Sequence, residues 1–216
     1  MKPFNKYFDH TLLAPDATED DIRKLCSEAA EHDFCSVCVN SCHAALASEL
    51  LKGTDVKVAS VVGFPLGAMD TDAKLFEADC ACRNGASEID MVMNVGALKE
   101  GRHEYVCDDM AAVVATADQH GAIVKVIIET CLLTDEEKRK ACELAMAAGA
   151  AFVKTSTGFS TGGAAADDVR LMRSAVGEKM QIKASGGIRD RAAAEAMIEA
   201  GADRIGASAS VKIISE

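Results

Sequence analysis

The segment ACELAMAAGAAFVKTSTGF, residues 141–159, contains the repeating unit that decides the fold. Its first part has the alanine-rich pattern of an amphipathic helix, and the apolar run after Gly149-Ala150 predicts a strand. Because glycine readily adopts the left-handed conformation that ends a helix, we interpret this dipeptide as a loop between helix and strand. The same junction recurs at Gly85-Ala86, Gly121-Ala122 and Gly201-Ala202.

Repetition of this unit predicts a barrel. Apolar runs predict eight strands, near residues 8–13, 34–39, 56–62, 88–93, 122–128, 151–155, 180–184 and 203–206. Helical patterns lie between them, near residues 18–31, 41–51, 71–84, 103–119, 134–148, 164–176 and 190–200, and capping-box spacings occur at Thr18 with Asp21 and Thr134 with Glu137. Strict alternation implies a parallel sheet, so the expected fold class is α/β, a (βα)8 TIM barrel forming a single domain over residues 1–216.

Length and charge limit the number of domains and the kinds of partner. A chain of 216 residues can bury one core, and no linker rich in proline, glycine or serine divides it. The formal net charge of −11 disfavours binding to nucleic acid or to an anionic membrane. No run approaches the roughly 20 apolar residues of a membrane span, and the start MKPFNKYFDH lacks the apolar core of a secretory signal. We therefore expect a soluble cytoplasmic protein.

Nine cysteines are present, and we expect reduced thiols that are mostly buried, because a chain of this apolar content needs no disulfides. Cys35 and Cys38 form a C-x-x-C pair within FCSVCVN, residues 34–40, which predicts a strand. Side chains three residues apart on a strand point to opposite faces of the sheet. Neither a disulfide nor a shared metal ion is therefore expected here.

Two lysines occupy equivalent places on neighbouring predicted strands. Lys154 lies in AFVKTSTGF, residues 151–159, just before a turn, and Lys183 repeats the design in QIKASGGI, residues 181–188. Catalysis in such barrels takes place at the carboxyl ends of the strands. An inward ammonium costs several kcal/mol unless it is paired or deprotonated, so the pair requires an explanation. The alternative is a pair of outward or snorkelling lysines.

Proximity of two ammonium groups supplies a chemical role. A free lysine has a pKa of roughly 10.4, and a second ammonium about 5 Å away contributes roughly 3 kcal/mol of repulsion, or about two pKa units, at an effective dielectric near 20. Burial lowers the pKa further, which yields an amine able to attack an aldehyde. One lysine is then the nucleophile and the other tunes it.

Acidic residues are expected beside these lysines. In SEIDMVMNVG, residues 87–96, period-two alternation places Asp90 on one face with Glu88, Val92 and Asn94. Such a carboxylate can balance the lysine charge and move protons through a water, or it can form an ion pair without chemistry. In KVIIET, residues 125–130, the same alternation places Lys125 and Glu129 on one face, and we interpret Lys125 as an ion-pair member because it lies near the strand start.

Glycine-rich loops follow the last two predicted strands. They contain Ser185-Gly186-Gly187 and Gly206-Ala207-Ser208. Loops at these positions of a barrel often bind phosphate through bare backbone N–H groups, although such glycines can also serve only to make tight turns.

The sequence predicts neither a metal ion nor an organic cofactor. No His-x-His or His-Glu-x-x-His spacing, dinucleotide fingerprint or Walker motif occurs. GFSTG, residues 158–162, matches a nucleophile elbow, but all five histidines precede Ser160, whereas that hydrolase order needs a later one. The chemistry is therefore expected to rest on side chains.

Seven motifs in order resemble the deoxyribose-phosphate aldolase family over essentially the whole chain: DHTLL (9–13), VCVN (37–40), VVGFPLG (61–67), EIDMVMNVG (88–96), KVIIET (125–130), VKTSTGF (153–159) and IKASGGI (182–188). By this resemblance Lys154 forms a Schiff base, Lys183 lowers its pKa, and Asp90 is the acid/base residue acting through water. The resemblance also implies that the sugar and phosphate are bound by Asp9, Thr11, Lys125, Thr157, Gly158, Gly186, Gly187 and Ser208, with Lys125 completing the charged network around Asp90.

The chain departs from the family at two places. Ser208-Ala209-Ser210 separates serines that are often adjacent, and the segment VKIISE lacks a tyrosine that some members direct to the active site. Contributions of Ser210 and of the tail therefore stay open.

The resemblance implies reversible cleavage of 2-deoxy-D-ribose 5-phosphate into acetaldehyde and D-glyceraldehyde 3-phosphate without a cofactor. The expected partners are a small phosphosugar and aldehydes, and a homodimer is consistent with the family. Two alternatives are a Schiff-base barrel aldolase for another phosphosugar and a non-catalytic phosphosugar-binding barrel.

Overall fold

A computed structural model describes residues 2–216 of the chain. Eight parallel strands form a closed barrel in which each strand pairs with the next along the chain and β8 pairs with β1. The strands are β1 (Phe8–Leu12), β2 (Ser36–Val39), β3 (Lys57–Val62), β4 (Glu88–Val92), β5 (Ile123–Ile127), β6 (Phe152–Lys154), β7 (Gln181–Ser185) and β8 (Arg204–Ala207). The predicted TIM barrel is confirmed, and every strand lies within two residues of its expected bounds.

Helices surround the barrel in the predicted order. They are α1 (Glu19–Glu31), α2 (Ala44–Leu50), α3 (Thr71–Arg83), α4 (Val95–Lys99), α5 (His103–Asp118), α6 (Asp135–Ala147), α7 (Ala166–Val176), α8 (Arg191–Glu199) and α9 (Ser210–Ser215). Three 3-10 helices cover Phe4–Tyr7, Ser41–His43 and Thr130–Leu132. Sequence patterns missed α4 and α9, because five or six residues are too few to show helical periodicity.

Local signals at the helix ends are confirmed. Both predicted capping boxes are present, with the side chains of Thr18 and Thr134 accepting from the backbone N–H of Asp21 and Glu137. The four glycines of the helix-to-strand junctions all have positive φ, between 70° and 112°. These loops return the chain to the barrel floor, so every strand runs in the same direction.

Alternation along β1 shows how the barrel sorts its side chains. Asp9 contacts Lys183 and Arg204 across the interior, whereas the neighbouring His10 points outward, where its Nε2 lies 2.8 Å from a carboxylate oxygen of Glu28 on α1. The large apolar core lies between the strands and the helices. Inside the barrel, a small apolar cluster fills the side next to β1–β3 and comprises Leu13, Cys38, Ala59 and Val61, with Phe64 packed on it. The opposite side of the interior is charged.

All nine cysteines are free, with four buried, three half-buried and two exposed, so the expectation that they are mostly buried holds only in part. Cys35 was predicted to lie within the second strand, but it lies just before β2, because pairing with β1 begins at Ser36. Cys38 lies on β2 and is fully buried. No helix within residues 2–216 is both long enough and apolar enough to cross a membrane.

Candidate active site

Lys154, the last residue of β6, is the register partner of Lys183 in the middle of β7, and both point into the barrel. Lys183 is fully buried and Lys154 is 2% exposed, so the alternative of outward or snorkelling lysines is wrong. Nζ of each lysine donates to the same oxygen, Oδ2 of Asp90, at 2.8 Å. Because they share one acceptor atom, the two Nζ atoms lie no more than about 5–6 Å apart, which is the separation that strong mutual repulsion requires.

Asp90 on β4 is the centre of this charged group. Its other oxygen accepts from Nζ of Lys125 at 2.7 Å, and Lys125 also contacts Glu88 at 2.6 Å. Burial acts to raise the pKa of Asp90, but the charges of the three lysines have a larger opposite effect and hold this pKa well below its ordinary value. Burial acts to lower the pKa of Lys125, but the carboxylates of Asp90 and Glu88 overcome this effect and raise its pKa above the ordinary value. Lys125 is thus an ion-pair member.

A second group of charges lies around Asp9. Lys183 donates to one oxygen of Asp9 at 2.5 Å, and Arg204 of β8 donates to the other at 2.6 Å. Burial acts to lower the pKa of Lys183, but Asp9 and Asp90 together raise it above its ordinary value. Lys183 therefore remains a cation.

The ion-pair network inside the barrel contains one more basic group than it has carboxylates. Three buried carboxylates, Asp9, Glu88 and Asp90, face four bases, Lys125, Lys154, Lys183 and Arg204. An uncompensated charge is costly in a buried site, so the network is most stable when one base is neutral.

Lys154 is the base that most readily gives up its proton. It contacts a single carboxylate, whereas Lys125, Lys183 and Arg204 each contact at least two. Burial lowers the pKa of Lys154; Asp90 opposes this effect, Lys183 adds to it, and the net pKa lies below the ordinary value. Lys154 is therefore poised to be an uncharged amine.

A cavity of about 430 Å³ opens at the carboxyl ends of the strands. Seven residues expected at the site line it, namely Lys154, Thr11, Thr157, Gly158, Gly186, Gly187 and Ser208. The other four, Asp9, Asp90, Lys125 and Lys183, are fully buried and do not line the cavity. The carboxylate of Asp9 is turned towards Lys183 and Arg204, and its contact with the sugar or phosphate stays a prediction.

Close backbone packing shapes the side of this cavity that is lined by Gly186 and Gly187. The loop after β6 meets the loop after β7, where the N–H of Ala164 donates to the carbonyl of Gly186 at 2.9 Å. A Cβ at Gly163 would lie 2.2 Å from that carbonyl oxygen, so only glycine fits there. Gly186 and Gly187 themselves have φ of 86° and 79°, a region that disfavours other residues.

Glu129 does not share a face with Lys125, contrary to the period-two expectation. β5 ends at Ile127, and Glu129 has φ 55°, which turns its side chain towards the next loop. There its carboxylate accepts from the hydroxyl of Thr157 at 2.5 Å and from the backbone N–H of Thr157 at 3.3 Å. Asn94 also lies beyond its strand, where it caps α4 by accepting from the N–H of Ala97.

Sequence reasoning missed Arg189, which is exposed and lines the cavity beside Gly186 and Gly187. A basic residue two positions after the Gly-Gly pair was the available signal. Ser160 of the false nucleophile elbow contacts Sγ of Cys131 at 3.4 Å, and that loop lies between β6 and α7 rather than at a sharp strand-to-helix turn.

Comparisons with known proteins agree with this geometry. Residues 4–215 match the model of the DeoC/LacD family aldolases. A deoxyribose-phosphate aldolase of Alkaliphilus oremlandii is 62% identical over 211 residues, which are 98% of this chain and 95% of the relative. One of Thermococcus gammatolerans is 61% identical over 211 residues, which are 97% of this chain and 94% of the relative.

Solved structures give the same result. A putative deoxyribose-phosphate aldolase from Coccidioides immitis superposes with a TM-score of 0.95 at 45% identity, covering 98% of this chain and 84% of that one. A tetrameric deoxyribose phosphate aldolase from Aeropyrum pernix superposes with a TM-score of 0.92 at 37% identity, covering 98% of this chain and 89% of that one. Fold, buried lysines and full-length similarity agree, and the chain belongs to the DeoC/LacD family of aldolases.

Proposed function

We propose that the protein reversibly cleaves 2-deoxy-D-ribose 5-phosphate into acetaldehyde and D-glyceraldehyde 3-phosphate through a Schiff base on Lys154. The observation that carries this proposal is the excess of one base among the buried charges, together with the position of Lys154 on the cavity wall. The names of the relatives, all deoxyribose-phosphate aldolases at about 60% identity, support the substrate.

The reaction begins at the neutral amine. Nζ of Lys154 attacks C1 of the open-chain sugar, and loss of water from the carbinolamine gives an iminium. Removal of the C3 hydroxyl proton then breaks the C2–C3 bond, with its electrons flowing into the iminium to form an enamine. Glyceraldehyde 3-phosphate leaves, C2 of the enamine is protonated, and hydrolysis releases acetaldehyde and the free lysine.

Asp90 is suited to assist these proton transfers and to balance the iminium charge. It already accepts from Nζ of Lys154, so a positive charge on that nitrogen has a carboxylate at 2.8 Å. Its burial beneath the cavity means that a water must carry the proton between Asp90 and the sugar. Lys183 stays charged, destabilises an ammonium on Lys154 and holds Asp90 in place.

The phosphate is proposed to bind over Gly186, Gly187 and Ser208, where bare backbone N–H groups and a hydroxyl are available as donors. Arg189 adds a cation, which an anionic ligand needs in a protein of net charge −11. Thr11, Thr157 and Gly158 then lie along the sugar. Asp9 and Lys125 act indirectly, by holding Lys183 and Asp90.

Turnover with defined aldehydes tests this function. Purified protein is incubated with acetaldehyde and D-glyceraldehyde 3-phosphate, and formation of 2-deoxy-D-ribose 5-phosphate is measured by chromatography and mass spectrometry. Lys154→Arg is the control, because a guanidinium keeps the charge but forms no imine. Product from another donor such as dihydroxyacetone, with none from acetaldehyde, would support a different aldolase, and no product from any donor would support a non-catalytic binding protein.

We also propose a homodimer in the cytoplasm. The tetramer named for the Aeropyrum pernix protein is the competing assembly, and light scattering on the purified protein distinguishes them by mass. Nine free cysteines are compatible with a reducing compartment.

A further inference from the structure

Glu88 and Arg204 form an ion pair at the floor of the barrel, at the end opposite the cavity. Glu88 is the first residue of β4 and Arg204 the first of β8. Nη1 of Arg204 lies 3.2 Å from Oε2 of Glu88, and the two residues are only 8% and 5% exposed. Neither lines the cavity, and both lie at the opposite ends of their strands from it.

Continuous contacts nevertheless join this pair to Lys154. On one side, Arg204 donates to Asp9 at 2.6 Å, Asp9 contacts Lys183 at 2.5 Å, and Lys183 donates to Asp90 at 2.8 Å. On the other side, Glu88 contacts Lys125 at 2.6 Å, and Lys125 donates to Asp90 at 2.7 Å. Both routes end at the carboxylate that accepts from Lys154.

We propose that Glu88 and Arg204 are positioning residues for the aldolase reaction, because they set the count of buried charges that leaves Lys154 without its proton. The inference rests on the proposed role of Lys154 as nucleophile. Without Arg204, three carboxylates would face three lysines, and Lys154 would no longer be the surplus cation. Without Glu88, two carboxylates would face four cations, and Lys154 would lose its proton more readily.

The ionisable groups joined to Lys154 through this network are all part of the count, and the buried Glu129, which accepts from Thr157 in the loop after β5, lies outside it. Asp90, Lys125 and Lys183 face it from β4, β5 and β7, and Asp9 and Arg204 lie behind Lys183 on β1 and β8. Cys38 faces the group from β2, and its thiol lies 3.9 Å from Asp90. Burial, and to a smaller extent Asp90, raise the pKa of this thiol, so it stays protonated and neutral.

The expected size of the effect follows from Coulomb's law. A unit charge about 10 Å from Lys154, at an effective dielectric of about 20, shifts its pKa by about one unit, or about tenfold in the ratio of amine to ammonium. The shift is upward when the cation of Arg204 is removed and downward when the anion of Glu88 is removed. The opposite signs distinguish a charge effect from general damage.

The test is the pH dependence of imine formation in four variants. The rate at which acetaldehyde and borohydride modify Lys154 is measured by peptide mass mapping from pH 5 to pH 10, and the midpoint of its rise is compared with that of the unaltered protein. We expect Arg204→Gln to move the midpoint up by about one unit, Glu88→Gln to move it down by about one unit, and the double variant to return it to near its original position. Arg204→Lys, which keeps the charge, should leave the midpoint in place.

Folding is checked by circular dichroism melting of each variant. Unchanged midpoints in folded single variants, or shifts of the same sign in both, would overturn the proposal. Failure of both single variants to fold would also overturn it, because the pair would then have a structural role. No adduct on Lys154 in the unaltered protein at any pH would instead refute the proposed function.

Discussion

Replacing Lys183 by leucine tests how the second lysine activates the first. The two Nζ atoms share Oδ2 of Asp90 and lie at most about 5–6 Å apart. At an effective dielectric of about 20, the ammonium of Lys183 destabilises an ammonium on Lys154 by about 3 kcal/mol, which is about two pKa units. In Lys183→Leu this repulsion is gone, and Asp90 retains only Lys125 and Lys154 as partners. The pKa of Lys154 should therefore rise by about two units.

The consequence for rate has a definite sign. Only the neutral amine attacks, and its fraction falls about tenfold for each unit by which the pKa lies above the pH. Single-turnover imine formation with acetaldehyde, followed by rapid quench in borohydride, should therefore shift its rising limb to higher pH by about two units. At a pH well above the new pKa, the variant should recover a rate near that of the unaltered protein.

Two controls isolate the charge effect. Lys183→Arg keeps a cation near Asp9 and Asp90, so its profile should stay close to the original. Asp9 retains Arg204 at 2.6 Å in the leucine variant, so no buried carboxylate is left unpaired, and circular dichroism should report a folded protein. A folded Lys183→Leu protein with an unchanged pH profile would refute the reasoning, since the second ammonium would then have no influence on the first.

Two further predictions concern the cavity wall. Arg189→Gln should raise KM for D-glyceraldehyde 3-phosphate about tenfold or more, because a charged hydrogen bond to phosphate contributes roughly 1.5–3 kcal/mol. In the same steady-state assays, kcat and the KM for unphosphorylated D-glyceraldehyde should stay nearly unchanged. Equal effects on both aldehydes would contradict a contact between Arg189 and the phosphate. Gly163→Ala should lower the free energy of unfolding by about 1–3 kcal/mol in urea titrations, because the new methyl group would lie 2.2 Å from the carbonyl oxygen of Gly186. Gly96→Ala, on α4, is its matched control and should be neutral or stabilising, because the added carbon meets nothing nearer than 3.6 Å. Equal losses of unfolding free energy in both variants would contradict the packing argument.

The barrel was predictable because its signals are local. Each strand is a short apolar run, and each junction glycine marks the end of a helix, so the order of elements follows from the sequence alone. The pairing of Lys154 with Lys183 followed from their equivalent places on neighbouring strands. Asp90 was expected near them from period-two alternation along its strand, and Lys125 was expected to be an ion-pair member because it lies near the start of its strand.

Residues beyond the strand ends were predicted less well. Period-two alternation applies only within a strand, so it failed for Glu129 and Asn94, which lie after the last paired residues of β5 and β4. Arg204 was not predicted from the sequence, because its partners, Asp9 and Glu88, are more than a hundred residues away along the chain. The surplus of one basic group in this ion-pair network depends on the closed barrel, which brings these distant strands together.

The most direct test of the central claim is a search for the covalent adduct on Lys154. Protein is incubated with acetaldehyde and reduced with borohydride, then digested, and the modified peptides are identified by mass spectrometry. We predict one dominant reduced adduct, on Lys154 within VKTSTGF, that is absent from Lys154→Arg. An adduct mainly on Lys183 or Lys125, or none above the level of surface lysines, would contradict the assignment of Lys154 as the neutral amine of the network.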